Sequence, residues 1–259
     1  MMGETTAIPT NPQNPGQVLA CAGVLELALA EHGPVLSRFV TENNRVLFQL
    51  ALAPHQVQEL VKKLAECPTT LGEDDSVTLG PPFHLRLDWW LEKGAGQAVP
   101  KTWAGGVRPR SFFPAYQKAS CQAATKPPRD WWEILDESLE SASPGLDPRE
   151  FTHALDTGFS TYETKLKTAT YPLVQLLALI GLQRFRPRSE NRNTFSYFIW
   201  CDALVPQVAA LVFAGHVMVG QAKGFVFQLR ARDQENRYKA FSFAGEKGGN
   251  YEQPNPYQV

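Results

Sequence analysis

The stretch from Thr170 to Arg192 constrains the fold of this chain more than any other part of the sequence. Pro172 suits the first turn of a helix, where its missing N–H is not needed. Apolar side chains then recur at helical spacing: Leu173, Val174, Leu176, Leu177, Leu179 and Ile180. A helix that is apolar almost all round belongs in the interior of a fold. We therefore expect a buried central helix over about residues 172–185.

Arginines follow this helix directly. Four occur within nine positions, and Glu190 is the only acid among them: Arg184, Arg186, Arg188 and Arg192. The negative C-terminal end of a helix favours cations, which accounts for Arg184 alone. Four arginines exceed that need, and a phosphate backbone is the commonest target of such a cluster. The sequence therefore predicts a cationic cluster presented by a buried helix.

Charge is unevenly distributed although the net charge is −1. Residues 1–160 carry 13 Lys+Arg and 19 Asp+Glu, whereas residues 161–259 carry 12 and 7. Residues 101–129 hold six cations and no acid, and residues 130–156 hold eight acids and one arginine. This segregation predicts a polarised surface with one face that meets a polyanion.

The remaining pattern mixes helices with antiparallel hairpins. Helix signals begin at Asn14-Pro15 and near Pro54, and Gln17 is placed as a capping-box partner of Asn14. Strands are expected at 35–40, 45–50, 76–79, 83–88, 194–201, 224–231 and 237–243, and further helices at 111–124 and 206–215. Strand and helix do not alternate strictly, so we expect an α+β fold with hairpins around the central helix.

These elements fit one compact α+β domain of residues 1–246. Two subdomains that meet near the irregular residues 140–170 are the alternative. Residues 247–259, rich in Gly, Asn, Gln and Pro, are expected to form a flexible polar tail.

Motifs for catalysis and cofactor binding are missing from the sequence. It contains no Gly-x-x-x-x-Gly-Lys phosphate loop, and its histidines and four cysteines lack metal-ligand spacing. A metal-dependent nuclease would have to use Asp88, Asp156 and Asp202, whose spacing gives no support to such a cluster. We therefore expect no catalytic residue, metal or cofactor, and the nuclease is the weaker alternative.

Nothing in the sequence predicts contact with a membrane. The first residues lack the apolar core of a signal peptide, and Pro206, Gln207 and His216 interrupt the longest apolar run. The expectation is a cytoplasmic protein.

Three stretches together resemble a known family: Asn14–Ala28, Leu155–Ser160 and Tyr171–Pro187, with Asp88-Trp89-Trp90 and Thr102–Gly106 between them in order. They are similar to the small version of the large subunit of type I-G CRISPR effector complexes, formerly called type I-U. The resemblance covers about Ile8 to Ala244 and rests on several short motifs in order, none of them a catalytic fingerprint.

This resemblance implies a non-catalytic subunit of a Cascade ribonucleoprotein in antiviral defence. Such a subunit binds near the 5′ handle of the guide RNA, beside the backbone and handle-binding subunits. It inspects the protospacer-adjacent motif in double-stranded target DNA, supports duplex opening and offers a docking surface to a helicase-nuclease, which performs the cleavage. The guide supplies sequence specificity by base pairing.

Cations on three surfaces are the candidate contacts with nucleic acid: Lys101, Arg108, Arg110, Lys118 and Arg129; Arg184, Arg186, Arg188 and Arg192; and Arg230, Arg232, Arg237 and Lys239. Lys118 also fits a plain solvated charge. Glycine lets a backbone approach DNA closely. The candidate loops for motif reading or strand wedging therefore contain Lys93, Gly94, Gly96 and Gln97, and Gly105 and Gly106.

The chain departs from several other large subunits, which end in a helical bundle that resembles the small subunit. Here the last predicted elements are a β-hairpin and a polar tail. We therefore expect any small subunits of the complex to be separate chains. A protein–protein scaffold that does not read DNA remains the other alternative function.

Overall fold

Two helices cross at the centre of the molecule with their backbones in contact. The computed structural model describes residues 4–73, 76–88, 109–124, 139–140, 144–150, 169–231 and 239–248. In it, α1 (Pro15–His32) packs against α4 (Pro172–Gly181). A Cβ on Gly23 would lie 2.0 Å from the Leu177 carbonyl oxygen, and one on Gly181 would lie 2.2 Å from that of Leu19. Only glycine permits so close an approach.

Helix α1 is buried from Pro15 to Ala28 except at Gln17, so it shares the centre with the predicted central helix. Asn14 caps it, as predicted, and accepts a 3.1 Å hydrogen bond from the Gln17 amide. The predicted capping box forms only in half, because the Gln17 side chain accepts from the Asn11 amide and not from that of Asn14. Gly33, with φ of 79°, ends the helix.

The central helix is fully buried but ends at Gly181, four residues before the predicted boundary. Beyond it the chain turns, and the Phe185 amide donates to the Gly181 carbonyl. This turn directs Phe185 into the core, where it stacks on Trp200 with ring centroids 5.6 Å apart. The arginines therefore follow a turn rather than a continuing helix.

Three antiparallel sheets and one two-stranded pair surround the two helices within the described residues. The first sheet has the order β1-β3-β2 and consists of Thr6–Pro9 (β1), Ser37–Glu42 (β2) and Arg45–Leu50 (β3). The second consists of Thr69–Leu71 (β4), Val77–Leu79 (β5) and Leu85–Leu87 (β6). Leu139–Glu140 (β7) pairs with Ala169–Thr170 (β8).

The third sheet carries the candidate site. Its order is β12-β11-β10-β9, with β13 also paired to β11. The strands are Arg188–Asn191 (β9), Thr194–Trp200 (β10), Ala222–Ala231 (β11), Lys239–Phe241 (β12) and Gly245–Glu246 (β13). Trp200 joins this sheet to the first one, because its indole N–H donates to the Ser37 carbonyl at 2.9 Å and its ring contacts Phe39 and Phe48.

The other helices cover the sheets and each other. Helix α2 (Pro54–Glu66) packs against α3 (Pro109–Ala124). The side-chain amide of Gln117 in α3 donates to the Leu64 and Cys67 carbonyls at the end of α2. Helix α5 (Pro206–Phe213) lies on the third sheet, where Phe213 stacks on Tyr197. None of the helices within the described ranges has the length and apolarity needed to cross a membrane.

A short segment, residues 144–150, ties the starts of α1 and α4 together. Asp147 is fully buried, accepts from the Asn14 side-chain amide at 2.9 Å and forms an ion pair with Arg149 at 2.7 Å. The Glu150 carboxylate accepts from the Tyr171 amide at 2.6 Å, immediately before α4. The polar groups beside the two helix starts are thus hydrogen-bonded to one another.

The predicted α+β class is confirmed by the five α-helices and the antiparallel sheets found within the described residues. The sequence did not predict β1, β4, β7, β8, β9 or β13. Residues 222–248, as far as they are described, contribute strands and not a helical bundle. The division into one domain or two stays a prediction.

Candidate nucleic-acid interface

The third sheet brings together cations from two of the three predicted surfaces. Arg192 lies in the turn between β9 and β10, next to Asn193. The Asn193 carbonyl accepts from the Leu229 amide at 2.8 Å, and its side-chain oxygen accepts from the Lys239 ammonium at 3.3 Å. Arg230 follows Leu229 directly. Arg192, Arg230 and Lys239 therefore lie at the same end of this sheet, although Arg192 precedes the other two by 38 and 47 positions in the chain.

The two faces of this sheet differ in burial. Phe195, Tyr197, Phe225, Phe227 and Leu229 are buried on the inner face. The alternate residues face outward, among them Arg188, which pairs with Ser196 of β10, and Arg230. Both arginines reach solvent, and Arg188 is exposed.

Glu190 is the only acid on β9. Its carboxylate accepts from the Lys247 ammonium and from the Ser196 hydroxyl, each at 2.6 Å. These hydrogen bonds hold the pKa of Glu190 below its ordinary value. The acid is therefore ionised and engaged by Lys247. Within the described residues neither Arg192 nor Arg230 forms an ion pair. We call Arg188, Arg192, Arg230 and Lys247 the cationic sheet surface. Lys239 pairs with Ala231, in the row of the inward-facing residues Leu229 and Phe241, and reaches Asn193 with its ammonium group.

Arg184 is engaged elsewhere. Its guanidinium forms a 2.5 Å ion pair with Glu26 of α1, and the exposed fractions of the two side chains are 37% and 7%. Burial raises the pKa of Glu26 above its ordinary value, although the hydrogen bond from Arg184 opposes that shift. This geometry gives Arg184 a structural partner; its predicted contact with nucleic acid stays a prediction.

Replacing Arg184 with methionine is expected to destabilise the protein by about 2 kcal/mol, because the nearly buried Glu26 loses its charged hydrogen-bond donor. Urea unfolding near neutral pH measures the effect. The double variant Glu26→Gln/Arg184→Met is the control, since it removes the stranded charge and should recover part of the loss. Equal stability of Arg184→Met and the unmodified protein would show that the pair has no structural role.

Glu26 should also make stability depend on pH. Its folded pKa is raised above the ordinary value of 4.5, so the folded state binds more protons just above that pH. Stability contributed by Glu26 therefore falls as pH rises from 4.5 through the folded pKa. The free energy of unfolding of Glu26→Gln, measured over the same pH range, should lack this component. A steeper fall in the Gln variant than in the unmodified protein would contradict the assignment.

Three further cations that were predicted to contact nucleic acid lie in the described part of the chain. Arg186 is exposed between the buried residues Phe185 and Pro187. Arg110 lies at the start of α3, where its guanidinium donates to the Glu73 carbonyl at 3.3 Å. Lys118 is exposed on α3. No described contact joins these residues to the cationic sheet surface.

Several predicted residues lie outside the described part of the chain. They are the cations Lys101, Arg108, Arg129, Arg232 and Arg237, and the loop residues Lys93, Gly94, Gly96, Gln97, Gly105 and Gly106. Asp156 and residues 249–259 of the expected tail lie outside it as well.

Two aspartates of the nuclease alternative, Asp88 and Asp202, lie in the described residues. The Asp88 backbone exchanges hydrogen bonds of 2.9 and 3.1 Å with the Gln183 side chain. The Asp202 carboxylate accepts from the Gln221 amide at 2.8 Å and occupies the space beside Gly220. In the described ranges no three His, Cys, Asp or Glu side chains are arranged to hold a metal ion.

Burial disfavours the thiolate form of three of the four cysteines. All four are free, and burial raises the pKa of the Cys21 thiol to about 12. Burial also raises the pKa values of Cys67 and Cys201. A raised thiol pKa keeps the sulfur protonated and weakly nucleophilic near neutral pH.

Two residues of the site were missed in the sequence. Lys247 was assigned to the flexible tail, but it pairs with Glu190, and its amide donates to the Gly224 carbonyl at 2.8 Å. Phe198 lies on the outer face of β10, with the Lys247 ammonium 5.5 Å from its ring centroid. The alternation of β10 was a usable signal for Phe198; nothing local indicated Lys247.

A scan against models of known protein families finds no match for this chain, and searches of curated proteins and of solved structures find no significant similarity.

Proposed function

We propose that this protein is a non-catalytic large subunit of a type I-G CRISPR surveillance complex. In this role it acts in the cytoplasm and binds the guide RNA near its 5′ handle together with the target DNA duplex. The observation that carries the proposal is the cationic sheet surface, in which cations from residues 188–192 and 230–247 lie on one sheet. The choice of this particular complex rests on the short sequence motifs that occur in the same order as in the family that the chain resembles.

The chemistry of the surface suits a backbone contact rather than base readout. Arginine and lysine neutralise phosphates regardless of sequence, and the released counterions make binding depend on salt. Guide pairing then supplies the sequence specificity, while the protein inspects the short adjacent motif. In this account the partners are the backbone and handle-binding subunits, a recruited helicase-nuclease that cuts the DNA, and small subunits supplied as separate chains.

Salt dependence tests the proposal directly. The purified chain should bind guide RNA with an affinity that falls steeply between about 50 and 200 mM salt, with a log–log slope near −0.9 for each phosphate contacted in a duplex and near −0.7 in a single strand. Substituting Arg188 and Arg192 with glutamine should make the slope shallower by about 1 to 2 units. Binding that does not respond to salt or to these substitutions would count against a nucleic-acid contact.

A protein–protein scaffold is the second candidate, and one observation favours it. Four apolar side chains after the middle of α5 are exposed, by 46% at Leu211, 38% at Val217, 61% at Met218 and 41% at Val219. The amides of His216 and Val217 both donate to the Leu211 carbonyl, so these residues form one patch. Such patches are typical of protein contact sites. Salt-insensitive assembly with the other subunits, lost in Met218→Asp, would support the scaffold.

A further inference from the structure

The outer face of the third sheet is only half-buried. Along β10 and β11 the outward residues Thr194, Phe198, Val226, Gln228 and Arg230 keep partial contact with solvent. Ser196 and Trp200 share this face and are buried, and the Ser196 hydroxyl donates to Glu190. The first sheet covers this face at Trp200, whose ring contacts Phe39 and Phe48, and the part around Thr194 and Phe198 stays partly open. An amphipathic sheet normally leaves such a face to water or to a partner.

An aromatic ring lies in the middle of this face. Phe198 pairs with Gly224 across the strands. A Cβ on Gly224 would lie 2.8 Å from one edge of the ring, and a Cβ on Gly215 would lie 2.9 Å from the other. The two glycines therefore leave room for the ring to lie between them. Aromatic side chains exposed on a sheet are the usual stacking platforms for unpaired bases.

The charges around the ring complement a polyanion. Arg188 lies on the neighbouring strand β9, Arg230 lies further along β11, and Arg192 lies in the β9–β10 turn. Lys247 lies over the ring and holds the acid of β9, Glu190. This Lys247–Glu190 pair is partly exposed, with side-chain exposures of 39% and 31%, so a base that displaced Lys247 would break only a weak interaction.

The shape of the face selects among nucleic acids. The major groove of DNA, about 12 Å wide, admits a helix or a two-stranded ribbon. Three adjacent strands spaced about 4.8 Å apart, with side chains and flanking loops, form a broader platform. A single strand has its bases free to lie on such a platform, whereas the bases of a duplex are stacked within it.

We propose that the outer face of β9, β10 and β11 binds a single strand of nucleic acid, with a base stacked on Phe198 and phosphates at Arg188 and Arg230. The inference rests on the proposed function and specifies the form of nucleic acid that this surface takes. Unpaired guide RNA and a displaced DNA strand share the required chemistry, namely exposed bases on a phosphate backbone.

Binding of fluorescent oligonucleotides to the full chain tests the proposal. The probes are oligo(U), oligo(dT) and a duplex, each about 12 nucleotides or base pairs long, within the range that single-strand platforms cover. Phe198→Leu should weaken binding of the single strands about 10-fold and leave duplex binding nearly unchanged. Phe198→Tyr keeps a stacking ring and should bind as the unmodified chain does. Leu71→Ala, which truncates an exposed apolar side chain of β4, is the control and should have no effect.

Crosslinking supplies a measurement that needs no variant. Oligo(U) with photoreactive uridines should crosslink to the β10 peptide that contains Phe198. The proposal is overturned if the crosslinks map only to other peptides, or if Phe198→Leu weakens single strands and duplex equally. A preference for oligo(U) would assign the site to guide RNA, and a preference for oligo(dT) to displaced DNA. Phe198→Leu could leave single-strand binding unchanged while the whole complex still requires the chain for duplex binding. In that case this inference fails and the proposed function stands.

Discussion

Gly23→Ala should destabilise the protein by about 4 kcal/mol, a large share of the 5–15 kcal/mol by which most domains are stable. The added methyl group would lie 2.0 Å from the Leu177 carbonyl oxygen, so α1 and α4 would have to separate. Both helices are buried along most of their length, and their separation would open the core from end to end. Urea unfolding of the full chain measures the change in the free energy of unfolding.

Whether Gly23→Ala lowers or raises the free energy of unfolding distinguishes two effects, because helix propensity alone predicts that alanine stabilises the helix. Alanine in the middle of a helix is more favourable than glycine by about 1 kcal/mol. Gly181→Ala should behave like Gly23→Ala, since its methyl group would meet the Leu19 carbonyl oxygen at 2.2 Å. Gly33→Ala is the control: φ is +79°, but no atom lies within 4 Å, so the cost is limited to backbone strain of about 1 kcal/mol. A Gly23→Ala variant more stable than the unmodified protein would refute the close crossing.

Charge reversal on the cationic sheet surface should have the largest effect on binding. The double variant Arg192→Glu/Arg230→Glu replaces two attractive phosphate contacts with repulsive ones, and we expect about a 100-fold loss of affinity for guide RNA near physiological salt. Stability should change by less than about 0.5 kcal/mol, because neither side chain is buried in the core. Filter binding or fluorescence anisotropy measures the affinity, and thermal unfolding checks the fold.

The matched control carries the same charge change elsewhere. Arg45 and Lys62 are exposed in the β2–β3 hairpin and on α2. The variant Arg45→Glu/Lys62→Glu alters the net charge equally and should weaken binding by less than about 3-fold, since long-range charge effects are screened beyond about 10 Å. If both double variants lose the same affinity, binding follows net charge and the sheet surface is not a site.

Local signals in the sequence were sufficient for several elements. Pro172 and the apolar repeat predicted the buried helix, and Asn14 predicted its own capping bond. The hairpin at Asn43-Asn44 was predictable too: both residues adopt the positive φ values, 49° and 61°, that asparagine tolerates in tight turns. Each of these features depends on residues close together in the chain.

Features that depend on distant residues were not predictable. Nothing near Gly23 indicates that Leu177 approaches it, because that contact exists only in the folded chain. Strand β9 was hidden within the arginine run, since all four of its residues are exposed and it therefore lacks an apolar alternation. The pattern of charges predicted a cationic cluster presented by the central helix and gave no sign of a strand.

The same limit applies to the site. Counting charges identified Arg192, Arg230 and Lys239 as candidates, but their common position at one end of the third sheet follows from the pairing of β10 with β11 and of β11 with β12. Arg184 was grouped with Arg188 by spacing, yet Glu26, 158 positions earlier, forms an ion pair with it. A charge run predicts that cations are present and not which of them face the same way.

The most direct test of the central claim is target binding by the guide-loaded complex, assembled with and without this chain. Target duplexes would carry or lack the adjacent motif, and single-stranded target would serve as the control, at about 50 and 200 mM salt. We predict that omitting the chain abolishes motif-dependent duplex binding while single-stranded target still pairs with the guide. Motif-dependent duplex binding that is unchanged without the chain would contradict this account.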